Sequence, residues 1–274
     1  MFQSEYDTLL PNQNIEKRRG YWEVGKGLQA TDGLQTSEYL ETIIEDTLIG
    51  KYDTEHAANK VCDYYAAIDQ NDPEYQNKEA DIVAARIVVC LEREDFKLSP
   101  ISLKAIHKEL FQDVLPFKWV GEYRMENVTK KEPILNGSTM TYADYKTVPE
   151  YLQYDFTAEQ TAQYGVPFYE ADAHKFAKFI STIWQAHPFR EGNTRTISTF
   201  AIKYLRTMGI QIDNKPFEQN AKWFRDALVR ANYSNAQKGV RPETLYLNKF
   251  FENVILGTRH DLQTIDLRCE TLFM

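Results

Sequence analysis

The chain has 274 residues, 43% apolar and 26% charged, an ordinary globular composition with enough material for one large core. Its formal charge of -8 leaves no basic footprint for a nucleic-acid backbone, so a polyanion would have to bind in a local pocket. No run of 18 apolar residues suits a membrane span, Met1 to Asp7 carry no basic-then-apolar leader, and Cys62, Cys90 and Cys269 have neither metal spacing nor an even count for disulfides, so a cytoplasmic protein without nucleic-acid or membrane partners is expected.

Helical periodicity dominates from the N-terminal side. Tyr39, Leu40, Ile43, Ile44 and Leu48 share a helical face, a turn follows at Gly50, and Thr54 is the expected N-cap of a helix carrying Ala58, Val61, Cys62 and Tyr65. The polar stretch 70–78, with Pro73, reads as a linker and closes an N-terminal helical segment at 1–75. The stretch 81–91 is apolar on most sides and predicts a central helix, and Ser99-Pro100 supplies a cap and a first-turn proline for a helix through Phe111. From about 117 the pattern changes, and Asn136-Gly137-Ser138, between apolar and β-favouring residues, predicts a hairpin. Phe176, Phe179, Ile180, Ile183 and Trp184 recur at helical spacing and run into His187. Ile197, Phe200, Ala201, Tyr204, Leu205 and Met208 mark a second helix stopped by Gly209, and further helices are expected at about 219–232 and 242–256, the last ended by Gly257. The reading is an all-α fold with one small β-hairpin, a principal domain over 76–240 and a C-terminal helical extension over 241–274.

The short loop between the two apolar helices, His187-Pro188-Phe189-Arg190-Glu191-Gly192-Asn193, holds the residue types that chemistry needs. Gly192, Asn193 and Thr194 let backbone N–H groups converge at a helix N-terminus, where unpaired donors and the macrodipole favour an anion. Arg195 adds a fork of donors matched to phosphate oxygens. Glu191 beside a bound polyphosphate implies an intervening cation, since a carboxylate plus phosphate oxygens is a usual magnesium arrangement. His187, with an ordinary pKa of about 6.5, can take a proton from a hydroxyl at neutral pH. The competing reading is structural: a helix-ending His-Pro followed by a surface turn.

These residues resemble the Fic family motif, His-x-Phe-x-(Asp/Glu)-Gly-Asn-Gly-Arg-x-x-Arg. His187, Phe189, Glu191, Gly192, Asn193 and Arg195 match in register. Gly121-Glu122-Tyr123-Arg124 and the hairpin at Asn136-Gly137 resemble the segment leading to the family's target-holding flap, so the likeness spans roughly residues 80 to 235. The resemblance implies a protein adenylyltransferase that moves AMP from ATP to a Ser, Thr or Tyr hydroxyl of a target protein or of itself, with Mg²⁺ or Mn²⁺. In it His187 is the general base, Phe189 anchors the loop, Glu191 holds the metal and Gly192 and Asn193 hold phosphates. Arg195 stabilises the transferring group, Asn232 is a looser match to a nucleotide-pocket position, and Asn136, Gly137 and Ser138 form the flap.

Two departures stand out. Thr194 occupies the family's glycine, and Ser198 the family's last arginine, which is associated with the γ-phosphate and with an inhibitory glutamate. Ser37 with Glu41, and the run 248–253 with Glu252, partly match the inhibitory pattern, and each reads first as helix cap or solvated carboxylate. His107 and His174 read as structural, and Trp22, Trp119 and Trp223 as packing. Two alternatives stay open: transfer of another phosphate-containing group, and a regulatory module that binds nucleotide or peptide without turnover. The oligomeric state is not legible.

Overall fold

The most apolar stretch of the sequence becomes the central helix. In the computed structural model, which describes residues 12–212, 214–269 and 272, α4 (Lys78–Glu92) is buried from Ala80 to Leu91. Around it pack α1 (Asn12–Gly27), α3 (Thr54–Ala67), α5 (Pro100–Phe111) and α8 (Asn193–Thr207). A second group forms around α7 (Glu170–Ala186), which touches α6 (Val148–Gln160), α8, α9 (Lys215–Asn232) and α10 (Leu245–Leu256). The remaining helix, α2 (Glu38–Leu48), lies on α1 and α3. The fold is mainly helical, with one small antiparallel sheet among the described residues. None of the described helices is long and apolar enough to cross a membrane.

Trp22 and Val61 from the first segment and Phe250 and Phe251 from the last lie in the same buried cluster as Phe176, Phe200 and Leu205. Met1 to Asp7 lie outside the described residues, as do the ends of the 1–75 and 241–274 segments.

Ser99 caps α5 as its sequence predicts, accepting the Ser102 N–H at 3.1 Å. At α3 the cap sits one residue before the expected Thr54: Asp53 accepts the His56 N–H at 2.7 Å, and Thr54 instead donates to Glu92 at 2.5 Å. Aspartate is as good a cap as threonine, and the buried Thr54 hydroxyl is satisfied by a carboxylate reaching over from α4. The hairpin also differs in detail. Strands β1 (Thr129–Lys131) and β2 (Thr139–Thr141) pair antiparallel with Lys130 opposite Met140. Between them Pro133–Leu135 makes a 3₁₀ turn, and Asn136 (φ 50°) and Gly137 (φ 73°) close it, the Gly137 N–H reaching Glu132 O at 3.0 Å. Asn-Gly thus ends a seven-residue loop over 132–138 and is not a two-residue hairpin turn, because Pro133 starts a turn of its own. The loop tip is tied down: Asn136 Nδ2 donates to Leu272 O at 2.8 Å.

Candidate active site

Helix α7 ends at His187, whose backbone is left-handed (φ 47°, ψ 60°) and whose N–H bonds Trp184 O at 3.0 Å. The loop that follows is held by its own side chains. Asn193 Oδ1 accepts the Phe189 N–H at 2.9 Å while its Nδ2 donates to Phe189 O at 2.8 Å. Fully buried Phe189 stacks on the His107 ring, 3.9 Å between centroids. Gly192 (φ 72°) starts α8, and a Cβ there would lie 2.3 Å from the Phe111 ring, so only glycine fits both the backbone and the space.

Two residues outside the loop brace its backbone. His107 Nδ1 accepts the Gly121 N–H at 2.9 Å, so its proton sits on Nε2, which donates to Glu191 O at 3.2 Å. Burial pushes the His107 pKa down to about 4, and the neutral ring is the form this geometry requires. Arg124 donates to His187 O at 2.7 Å, to Ala186 O at 3.3 Å and to Ala143 O, and its N–H reaches Pro188 O at 2.8 Å. The Gly121-to-Arg124 segment therefore works as a clamp on the turn that carries His187.

The loop forms one wall of a cavity of about 230 Å³, with His187, Glu191, Gly192, Asn193 and Thr194 on that side. Thr129 and Lys130 of β1, Tyr142 just after β2 and Arg225 of α9 form the other, and Asp32 also lines it. His187 stacks on Tyr142 at 3.7 Å and meets Trp184 edge-on at 5.7 Å, and Trp184 Nε1 donates to Thr194 Oγ1 at 3.1 Å. Desolvation first, then the charges of Arg124, Arg225 and Lys130, push the His187 pKa down to about 3. The ring is therefore unprotonated at neutral pH. Its Nδ1 is buried without a partner, which leaves Nε2 as the nitrogen for a substrate. Arg225 is fixed by a two-bond pair with Glu132, 2.8 and 2.7 Å, whose carboxylate is fully buried at the base of the hairpin.

The α8 N-terminus opens on this cavity, and the N–H groups of its first turn lack helical acceptors. Glu191 stands beside it with a 55% exposed side chain, paired only with Arg190 at 3.3 Å among the described ion pairs. An oxygen ligand next to an anion cradle is the donor set a magnesium ion needs, so these residues fit the ion that the motif implies.

Several predicted site residues stand elsewhere or have their side chains engaged. The Asn193 side chain is committed to the loop, leaving only its backbone N–H for a phosphate. Arg195, 2% exposed, does not line the cavity: its guanidinium pairs with Asp32 at 2.9 Å and Glu79 at 2.6 Å, bonds Gln29 at 3.1 Å and lies over Phe111. Asn232 donates to Ser181 and to Leu228 O, both at 2.9 Å, and also lies off the cavity lining. Asn136, Gly137 and Ser138 are at the hairpin's far end, and the strand residues 129, 130 and the nearby Tyr142 face the cavity in their place. Ser37 caps α2 and bonds Asp81 at 2.5 Å, Glu41 pairs with Lys26, and Glu252 lies between His174 and His260. None of these three lines the cavity; the carboxylates that reach the motif from elsewhere are Asp32 and Glu79 at Arg195 and Glu126 at Arg190. Ser198 is fully buried with its hydroxyl unpartnered, so an arginine there would have to displace packed neighbours.

Sequence reasoning missed Tyr142, Lys130, Arg225, Asp32 and Glu79 as neighbours of the motif. Arg225 left one signal: it shares a helical face with buried Ala221, Leu228 and Val229, a place where an arginine needs a partner.

Residues 97–205 match the model of the Fic/DOC family, inside the 80–235 span of the motif resemblance. That stretch of the chain, from the end of the loop before α5 to the last turns of α8, is similar to the Fic/DOC family. The probable protein adenylyltransferase y4lH of Sinorhizobium fredii is 31% identical over 135 residues, 47% of this chain and 62% of that relative. The protein adenylyltransferase VbhT of Bartonella schoenbuchensis is 30% identical over 115 residues, 40% of this chain and 22% of that relative. The chain thus matches less than two thirds of the length of either. Among solved structures, a Fic family protein from Desulfovibrio desulfuricans superposes with a TM-score of 0.53 at 14% identity, covering 93% of this chain and 71% of that one, which is a likeness of fold.

Proposed function

We propose that this chain is a protein adenylyltransferase that moves AMP from ATP to a Ser, Thr or Tyr hydroxyl, on a target protein or on itself. The observation that carries the reading is His187: an imidazole kept uncharged by burial and by three surrounding cations, on a cavity wall beside an anion-attracting helix start. The names of the two curated relatives support the same reaction.

In this reaction the target hydroxyl gives its proton to His187 Nε2 as its oxygen bonds the α-phosphorus, and the bond from that phosphorus to the bridging oxygen breaks to release pyrophosphate. The first N–H groups of α8 face the phosphate oxygens, and Arg225 and Lys130 add positive charge from the opposite wall. Glu191 would hold Mg²⁺ or Mn²⁺, which supplies neutralisation of polyphosphate charge when bound. Bringing phosphates near His187 offsets the cations that depress its pKa, so nucleotide binding strengthens the base at the moment it is needed. Lys130 and its neighbours in β1 give the hairpin an edge beside the cavity, where an extended target segment can pair.

A second reading, a module that binds nucleotide without turnover, has one observation in its favour: Arg195 is held by Asp32 and Glu79 away from the cavity. Incubation with ATP labelled at the α- or the γ-phosphate, followed by intact-mass analysis, separates the cases. Label from the α position with a mass gain of one AMP is expected. Label from the γ position would reassign the transferred group, and no label with measurable ATP binding would leave the module reading.

A further inference from the structure

The C-terminal run singled out for Glu252 and Asn253 serves a second place in the fold, at the other end of α7 from His187. Glu170 and His174 are four residues apart, on one face of the first turns of α7. Facing them from α10 is Glu252, with His174 Nε2 at 2.5 Å from its Oε1 and at 3.8 Å from a Glu170 oxygen. His260, in the loop after α10, places Nε2 at 2.5 Å from the other Glu252 oxygen. That loop is pre-set by Asn253, which accepts from the His260 N–H at 2.9 Å and from Thr258 Oγ at 2.8 Å and donates to His260 O at 2.9 Å.

This arrangement brings two carboxylates and two imidazoles together. Glu252 is buried, and among the described ion pairs no lysine or arginine meets it; its only partners there are imidazoles. Two carboxylates, one of them buried, converge there on imidazole nitrogens, a nitrogen and oxygen donor set of the kind that zinc takes. The ligand atoms of Glu170, His174 and Glu252 lie within 4.8 Å of one another. Zinc bonded to nitrogen and oxygen at about 2.0–2.2 Å needs ligand atoms about 3.4 Å apart in a tetrahedron. The observed 2.5 and 3.8 Å bracket that spacing, and the one-third-exposed His174 leaves a way in.

We propose that Glu170, His174 and Glu252 bind a divalent transition-metal ion of the zinc type, with His260 orienting the buried carboxylate through its second oxygen. In the metal-bound form the His174 ring carries its proton on Nδ1, and the Nε2 lone pair bonds the metal. The ion then fastens the start of α7 to α10 and to the His260 loop. This site is independent of the reaction proposed at His187.

The test uses the full chain, stripped with a chelator and titrated with zinc chloride by calorimetry, with metal content measured after desalting. One zinc per chain, with a raised melting temperature, is expected. His174→Ala and Glu170→Gln should each weaken binding at least about tenfold, and His260→Ala about 10–100-fold, the usual range for loss of a ligand-orienting partner. Glu191→Ala should leave zinc binding unchanged. Glu170 is largely exposed, so its variant keeps the fold and stays informative if loss of His174 or Glu252 perturbs α7. Absence of zinc binding, or the same affinity in wild type and Glu170→Gln with circular dichroism unchanged, overturns the proposal.

Discussion

The two walls of the cavity are built by opposite rules. On one, the bonds within the turn are short in sequence, His187 to Trp184, Asn193 to Phe189 and Trp184 to Thr194, with only His107 and Arg124 bracing its backbone from afar. On the other, Lys130, Tyr142 and Arg225 come from β1, the end of the hairpin and α9, and Arg225 is fixed by a glutamate 93 residues away. The local wall presents the groups that would react. The remote wall adds to the burial and the Arg124 charge that set their state, since Arg225 and Lys130 also help keep His187 unprotonated and Tyr142 covers its ring. An intact motif is therefore only half of the site.

The largest effect expected falls on the local wall. His187→Ala should lower transfer about 10³-fold, the middle of the range for a lost general base, while ATP binding by calorimetry stays within about threefold. Transfer within tenfold of wild type would remove His187 from the proton step.

Breaking the remote wall should show first in stability. Arg225→Gln leaves Glu132 buried and unpaired and should cost about 3 kcal/mol in urea unfolding, with part of this recovered when Glu132→Gln is added. A cost below about 1 kcal/mol would mean that the pair does not hold the hairpin base.

A third, opposite change tests the Arg195 contacts. Asp32→Asn with Glu79→Gln should free the guanidinium and raise self-modification about tenfold, equivalent to about 1.4 kcal/mol of barrier. Glu41→Gly is the control: its half-exposed pair with Lys26 is remote from the cavity, and a change beyond about twofold would point to a route from α2 to the motif. Should the double variant lose activity, Asp32 or Glu79 serves the reaction and does not restrain it.

The smallest effect is an absence of change with pH. His187 is depressed from 6.5 to about 3 in the free protein, so kcat/KM, which reports the free enzyme, should show no acidic limb from this group between pH 5 and 8. The linkage sign is definite: below 6.5 the unfolded chain binds a proton that the folded one refuses, so this group lowers stability as pH falls from 6.5 toward 3. A limb near 6.5 in kcat/KM would show that burial and the surrounding cations do not depress the base.

Much of the helical frame was legible from periodicity, and α5, α7, α8 and α10 begin or end close to their sequence signals. Two helices were passed over. Three glycines and dense charge blur the apolar face of α1, although Tyr21, Trp22 and Val24 are buried. In α6 the signal existed, since Val148, Leu152 and Phe156 recur every four residues behind Pro149, but three contacts in a polar stretch make a thin stripe.

By itself the sequence determined the outline of the loop: a helix end at His187, a left-handed glycine at 192 and a helix start are set by neighbouring residues, while His107, Phe111 and Arg124 hold that outline from outside. Tertiary structure decided what surrounds them. Whether Arg195 faces a phosphate or a pair of carboxylates, whether His187 carries a charge, and whether Glu252 meets the motif or two histidines all depend on side chains brought together from distant elements. Desolvation and Coulomb interactions act through space, so no spacing along the chain could carry them.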